Sequence, residues 1–355
     1  MVSYLLTAIM DEIIYFYPQG HEAHQEYGHP ERPERVEAIR KALDSHGWWQ
    51  AYPKASPTRL SIDFLKTVHS PTYLEVLEGM CRRGDSLDMD TYTTPASWQL
   101  ALNAAGGAAV VAQSVWQGNA RRGFALTRPP GHHATARRGM GFCLLNNIAI
   151  AAEYLLQQPG NSVRKAKRLA IVDLDLHHGN GTQDIFWKRG DVLYLSTHLS
   201  PFYPGSGELS ESGAEAGRGC TANFPLPAFT GDQGFSTVME ELILPLLIRF
   251  DPEMLLVSFG FDTHWRDPLG YLRLSAASYG ELVRNLVEYA DVHCQGKIAL
   301  VLEGGYDLQA AQACGAAVTA ALLGKDYSDP LGPSPQDETS AWQKVVEQAK
   351  TIWNL

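Results

Sequence analysis

The chain runs to 355 residues with 45% hydrophobic content, enough to bury a substantial core as one large α/β domain or two smaller ones, and none of its apolar runs approaches the ~20 residues of a membrane span. Its formal net charge of −10 argues against nucleic-acid binding, which calls for a basic footprint, and sits comfortably with a cationic substrate or with solubility alone. The five cysteines, Cys81, Cys143, Cys220, Cys294 and Cys314, are odd in number and widely spaced, which excludes a close-paired zinc or redox motif and fits a reducing cytoplasm.

In chain order, Tyr4-Leu5-Leu6-Thr7-Ala8-Ile9 lacks a basic leader and a small-residue cleavage site, so an unexported, cytoplasmic protein is expected. A strand at 13–17 leads to His21, His24 and His29, a set that could mimic a metal site but is read as a flexible entrance loop shaping substrate choice or dimer contacts. Helices follow at 33–45, 71–82 and 95–117, then a strand at 123–127, a helix at 145–157, and strands at 169–176 and 192–197. A helix at 233–250, a strand at 254–260, a helix at 276–290, a strand at 298–302 and a helix at 308–323 continue the alternation. Residues 326–338, rich in Pro, Asp and Ser, form a surface loop leading into a last helix at 340–353. The pattern predicts one α/β domain over 1–355, a mostly parallel central sheet with helices on both faces.

Ligands of such sheets bind beyond the carboxyl ends of the strands, and the unusual polar residues stand there each time. Arg128-Pro129-Pro130-Gly131-His132-His133 follows the strand at 123–127, and Phe261-Asp262 the one at 254–260. Glu303-Gly304-Gly305-Tyr306 follows the strand at 298–302. The remaining cluster, Asp173-Leu174-Asp175-Leu176-His177-His178-Gly179-Asn180-Gly181, continues the strand at 169–176 and places residues 173, 175 and 177 on one face of it. Ionisable groups in that low-dielectric space cost several kcal/mol each, roughly, unless a cation or hydrogen bonds compensate them.

Asp175, His177 and Asp262 would supply two carboxylates and an imidazole and leave an open position, the ligand count of a catalytic zinc; Fe²⁺ or Co²⁺ could substitute. A metal-free charge network is the competing reading, but like-charged carboxylates in one pocket repel. The tandem His132 and His133 suit acid–base chemistry, with Asp173 a charged acceptor for one imidazole and Asn180 a neutral acceptor for the other. Tyr306, after two glycines, could direct its phenol at a developing oxyanion, or could be a core tyrosine at a helix start.

Arg-Pro-Pro-Gly-His-His, Gly-Phe-Cys-Leu-Leu-Asn-Asn, Asp-Leu-Asp-Leu-His-His-Gly-Asn-Gly-Thr and Glu-Gly-Gly-Tyr, in this order, resemble the histone deacetylase superfamily, which includes acetylpolyamine amidohydrolases and bacterial histone deacetylase-like amidohydrolases. The resemblance runs from His29 to Tyr306, and Asn180 and Glu303 give it the wording of the class II branch. It implies an arginase-like fold with an eight-stranded sheet and zinc on Asp175, His177 and Asp262. His133 becomes the general base and then acid, His132 an electrostatic helper paired with Asp173, and Tyr306 the carbonyl-polarising donor. Phe142 and Tyr203 match the aromatic tunnel walls, with Gly141 at the floor. Leu269 fills a rim position where a polyamine-selective relative can carry Glu, and Asp90 matches a rim acid that binds substrate backbone. Arg35 matches an arginine of an exit channel for the acid product, and a potassium ion is implied near Asp173, Asp175, His177 and Ser196. His264 and Trp265 depart from the small residues usual after the last zinc ligand; they could narrow that wall, or His264 could add a titrating group or a fifth ligand.

The expected activity is zinc-dependent hydrolysis of the acetamide of an acetylated amine, a protein acetyl-lysine or a small amine, to acetate and free amine. The alternatives are an acetylpolyamine amidohydrolase and a non-catalytic acyl-lysine binding module. No nucleic-acid or membrane partner is expected, and a homo-oligomer is left open.

Overall fold

The computed structural model describes residues 11–157 and 164–355, so residues 4–9 lie outside it. Eight strands form one sheet: β1 (Asp11–Phe16), β2 (Lys54–Ala55), β3 (Ala120–Ala125), β4 (Leu169–Asp173), β5 (Val192–Leu199), β6 (Thr221–Leu226), β7 (Met254–Phe259) and β8 (Ile298–Leu302). Their order is β2-β1-β3-β8-β7-β4-β5-β6, and every pairing is parallel, stricter than the mostly parallel sheet that the alternation predicts.

β4, β7 and β8 are nearly unbroken apolar runs, as a sheet covered on both faces requires. Alternate residues feed opposite cores. Val172, Val257 and Leu300 pack under helices Glu34–Ser45, Ala276–His293 and Leu308–Leu322, while Ile171, Leu256 and Val301 pack under Ser97–Trp116 and Asn147–Gln157. Helix Ser97–Trp116 can lie close to the sheet because Gly107 has no side chain; a Cβ there would collide with the Phe16 ring. The last helix, Trp342–Trp353, buries Trp342, Val346 and Trp353 in the first core. Residues 326–338 carry no helix or strand and are tied down by Trp265 Nε1 donating to Gly332 O (3.1 Å) and by Glu338 accepting from Gly234 N (2.8 Å).

Several expectations need correction. β4 stops at Asp173, three residues short of 176, because side chains compete with the ladder: Asp173 Oδ1 accepts from Asp175 N (3.3 Å) and Asp175 Oδ1 from His177 N (2.9 Å). Asp175 and His177 therefore stand on a turn beyond the sheet, and strand alternation does not aim them. β2 is too short to leave a pattern, and Pro225 disguises β6, an edge strand where a missing N–H is tolerated. The helix predicted over 233–250 is a run of three pieces, with a wider-turned π stretch at Met239–Ile243 just ahead of Pro245. The helix starting at Ala276 continues to His293 rather than 290. Of the three loop histidines, His21 and His24 are buried, with Arg128 Nη1 donating to His21 O (2.6 Å) and His24 Nδ1 paired with Ser97 Oγ (2.6 Å), while His29 Nε2 lies 3.0 Å from Asp90 O beyond the exposed residues 25–28; none of the three joins a metal-binding group among the described residues.

β3, β8, β7 and β4 are four consecutive neighbours in the sheet. The four polar motifs that follow them are thus delivered to one spot.

Candidate active site

Asp175, His177 and Asp262 each bring a ligand atom to within 4.8 Å of the other two. His177 Nδ1 lies 3.2 Å from Asp175 Oδ1 and 3.3 Å from Asp262 Oδ2. Backbone donors hold the carboxylates: Leu176 N donates to Asp262 Oδ1 (3.0 Å) and Gly304 N to Asp175 Oδ2 (2.9 Å). The remaining oxygen, Asp262 Oδ2, is buried without a hydrogen bond. Gly260 and Gly304 keep the space clear, since a Cβ at either would run into both carboxylates. Burial alone would push the His177 pKa down; its contacts with Asp175 and Asp262 outweigh that and hold it at about 9. Burial and the charge of Asp175 raise Asp262. Two carboxylates, one of them with a buried oxygen that has no hydrogen bond, and one imidazole make a set that fits a divalent cation.

The two histidines of the loop after β3 are set by their partners. His132 Nδ1 lies 3.2 Å from Asp173 Oδ2, and His133 Nδ1 lies 2.8 Å from Asn180 Oδ1. Burial would lower His132, but Asp175 and Asp173 outweigh it and push its pKa up to about 10. Burial, reinforced by the charges of His132 and His177, pushes His133 well below the ordinary histidine range. With Nδ1–H committed to the amide oxygen of Asn180, neutral His133 keeps Nε2 as its free base.

Glu303 fixes that loop from below: Oε2 accepts from Gly131 N (2.7 Å) and His132 N (3.1 Å), and Oε1 accepts from Ser258 Oγ (3.0 Å). The sequence marks Glu303 only as a motif letter at a strand end. Tyr194, whose hydroxyl donates to Asp173 Oδ2 (3.1 Å), is hidden in the apolar run of β5 and leaves no signal.

Above these groups is a cavity of about 240 Å³ lined by Asp90, Gly141, Phe142, Tyr203, Leu269 and Tyr306 together with His132, His133 and His177. Phe202, not singled out from sequence, also lines it and stacks on His177 (5.6 Å, 27°). Phe142 meets Tyr306 edge to face at 5.7 Å, and Tyr203 meets His133 at 5.2 Å. Gly141 takes a left-handed φ of 55°, and a Cβ there would strike the His133 ring. Asp267 Oδ2 accepts from Tyr306 N (2.6 Å) and Asp307 N (3.2 Å), fixing the start of the following helix, and burial keeps the Tyr306 phenol protonated well beyond its usual range.

Arg35 does not line this cavity. Its guanidinium sits 4.7 Å over the Tyr306 ring and donates to Gly305 O (2.5 Å), Glu303 O (2.6 Å) and Glu31 Oε1 (3.0 Å), bracing the Glu-Gly-Gly-Tyr turn. Ser196 pairs in register with Asp173, but its hydroxyl is shared with His198 Nδ1 (3.0 Å). His264 is outside the ligand group: it is buried, its Nδ1 accepts from Arg266 N (3.1 Å), and burial lowers its pKa to about 4.

Residues 29–322 match the histone deacetylase domain model. The chain belongs to the histone deacetylase family. It is 38% identical over 334 residues to a probable deacetylase of Archaeoglobus fulgidus, covering 93% of this chain and 91% of that protein. It is 35% identical over 308 residues to a histone deacetylase-like amidohydrolase of Pseudomonas aeruginosa, covering 86% and 80%. The crystal structure of the HDA15 HD domain superposes with a TM-score of 0.86 at 32% identity, covering 97% of this chain and 94% of that one. Among the described residues of this family member, no helix is long and apolar enough to cross a membrane.

Proposed function

We propose that the chain is a single zinc-dependent deacetylase domain over 1–355 that hydrolyses the acetamide of an acetylated amine to acetate and a free amine. One observation carries the reading: Asp262 Oδ2, buried without a hydrogen bond, stands 3.3 Å from His177 and beside Asp175 at a cavity that also holds a neutral histidine and a protonated tyrosine.

Asp175, His177 and Asp262 would hold the zinc, and Asp173, Asp175, His177 and Ser196 a potassium ion. When bound, zinc supplies Lewis acidity, polarising an acyl oxygen and lowering the pKa of a water to ~7. His133 takes the proton of the attacking water at Nε2 and returns it to the leaving amine, while Asn180 keeps Nδ1–H oriented. His132, charged against Asp173, stabilises the negative charge that develops nearby. Tyr306 donates from its hydroxyl to the acyl oxygen. Phe142 and Tyr203 grip an apolar acyl-amine stem, with Gly141 making room at the base and Leu269 and Asp90 at the rim. Arg35, behind the Glu-Gly-Gly-Tyr turn, would line the exit channel for acetate. Five free cysteines support a cytoplasmic setting.

The test is a panel of acetyl-lysine peptides, acetylputrescine, acetylspermidine and longer acyl-lysines offered to purified zinc-loaded protein, with metal content measured on the same sample. Hydrolysis of an acetylated amine at one zinc per chain is the expected outcome. A zinc-replete protein that binds acyl-lysine and releases no acetate would make it a binding module instead.

A further inference from the structure

A groove of about 780 Å³ opens beside the mouth of the cavity and shares Asp90 and Tyr203 with it. Its apolar surface includes Tyr73, Leu87 and the fully exposed Met89. Arg137 and Arg138 also line it, both exposed, on a turn whose backbone is pinned by Thr135 Oγ1 accepting from each of their N–H groups (3.1 Å). Neither guanidinium has a hydrogen-bond or ion-pair partner among the described residues. Asp88 and Asp90 line the same groove but pair with neither arginine: Asp88 Oδ1 accepts from Asp90 N (3.2 Å) and Thr91 N (2.7 Å), and Asp90 stands at the mouth. A polyamine, cationic along its length, gains no ion pair from the two arginines. A peptide does, if it places an acidic side chain over them while its acyl-lysine enters the cavity.

Resting on the deacetylase reading, we propose that this groove seats the polypeptide next to an acyl-lysine and that Arg137 and Arg138 select substrates with acidic side chains within a few residues of it. The occupant is a peptide or protein surface, and the selectivity is electrostatic, so it weakens with salt.

The test uses three fluorescein-labelled heptapeptides with a central acetyl-lysine and Glu, Gln or Lys at the flanking positions. Binding to the zinc-loaded full chain is followed by polarisation, and acetate release is measured in parallel. The Glu peptide is expected to bind about fivefold more tightly than the Lys peptide at low salt, and the Arg137→Gln/Arg138→Gln variant should bring that ratio close to one. Equal binding of the Glu and Lys peptides, a preference for the Lys peptide or acetylspermidine, or a Glu preference that survives in the double variant each overturns the groove assignment. A Glu preference abolished by the variant, with no acetate released from any substrate, sustains the groove and overturns the deacetylase reading instead.

Discussion

His132 and His133 are neighbours with opposite electrostatics, and the difference lies in one atom of each partner. An anionic acceptor at Asp173 favours an imidazolium, whereas the neutral amide oxygen of Asn180 lets burial keep His133 uncharged. Replacing Asn180→Asp gives His133 an anionic acceptor and raises its pKa. The base then stays protonated to higher pH, so the acidic limb of kcat/KM should move up by about one pH unit; an unmoved limb would show that His133 is not the titrating base. Tyr306→Phe removes a hydroxyl and leaves the ring between Arg35 and Phe142, so the fold and zinc content should hold while kcat falls roughly 10²- to 10³-fold. Turnover within a few-fold of the parent would take Tyr306 out of the mechanism. At this scale much of the site is legible in the sequence, because tandem histidines, an acid after an apolar strand and a Gly-Gly-Tyr turn are each unusual. Glu303, Tyr194 and Asp267 are not legible as supports, since what matters is which backbone N–H or side chain they reach across the fold, and spacing does not encode that.

Among elements, the segment that starts at His29 is held to the active-site loop by a buried ionic clasp. Glu31 Oε1 accepts from Arg128 Nε (2.7 Å) and from Arg35 Nη1 (3.0 Å), with no part of the carboxylate exposed. Burial alone would raise the Glu31 pKa; the two arginines outweigh it and hold it at about 2, below the ordinary 4.5. Because the folded pKa is depressed, this contribution is complete above pH 4.5 and is lost as pH falls towards 2, about 3 kcal/mol in all. The urea stability of the parent should therefore exceed that of Glu31→Gln at neutral pH, and the gap should shrink by about 2 kcal/mol between pH 4.5 and about pH 3. A gap independent of pH would mean that the clasp is held by shape rather than charge. The long helices and buried strands are readable from periodicity alone. The early end of β4 is not, because Leu174 and Leu176 continue the apolar alternation while Asp173 and Asp175 divert the backbone through their own side chains.

For the whole molecule, βα alternation with unusual polar residues after strand ends is enough to foresee a sheet buried on both faces and a site at the carboxyl ends of its strands. The order of the strands is not foreseeable in that way, and it is the adjacency of β3, β8, β7 and β4 that turns four separate motifs into one cluster. The cluster gathers four buried acids, Asp173, Asp175, Asp262 and Glu303, whose mutual repulsion works against folding and is relieved by a cation. Stripping metal with a chelator should lower the melting temperature, and zinc at about 1,000 times its Kd should restore roughly 4 kcal/mol, a rise of about 5 °C. A melting temperature indifferent to zinc would place any bound ion elsewhere. The most direct measurement is anomalous diffraction at the zinc edge from crystals grown with Zn²⁺. One peak in contact with Asp175, His177 and Asp262 is predicted, lost in Asp262→Ala crystals, whereas a peak on other residues, or none, would contradict the account.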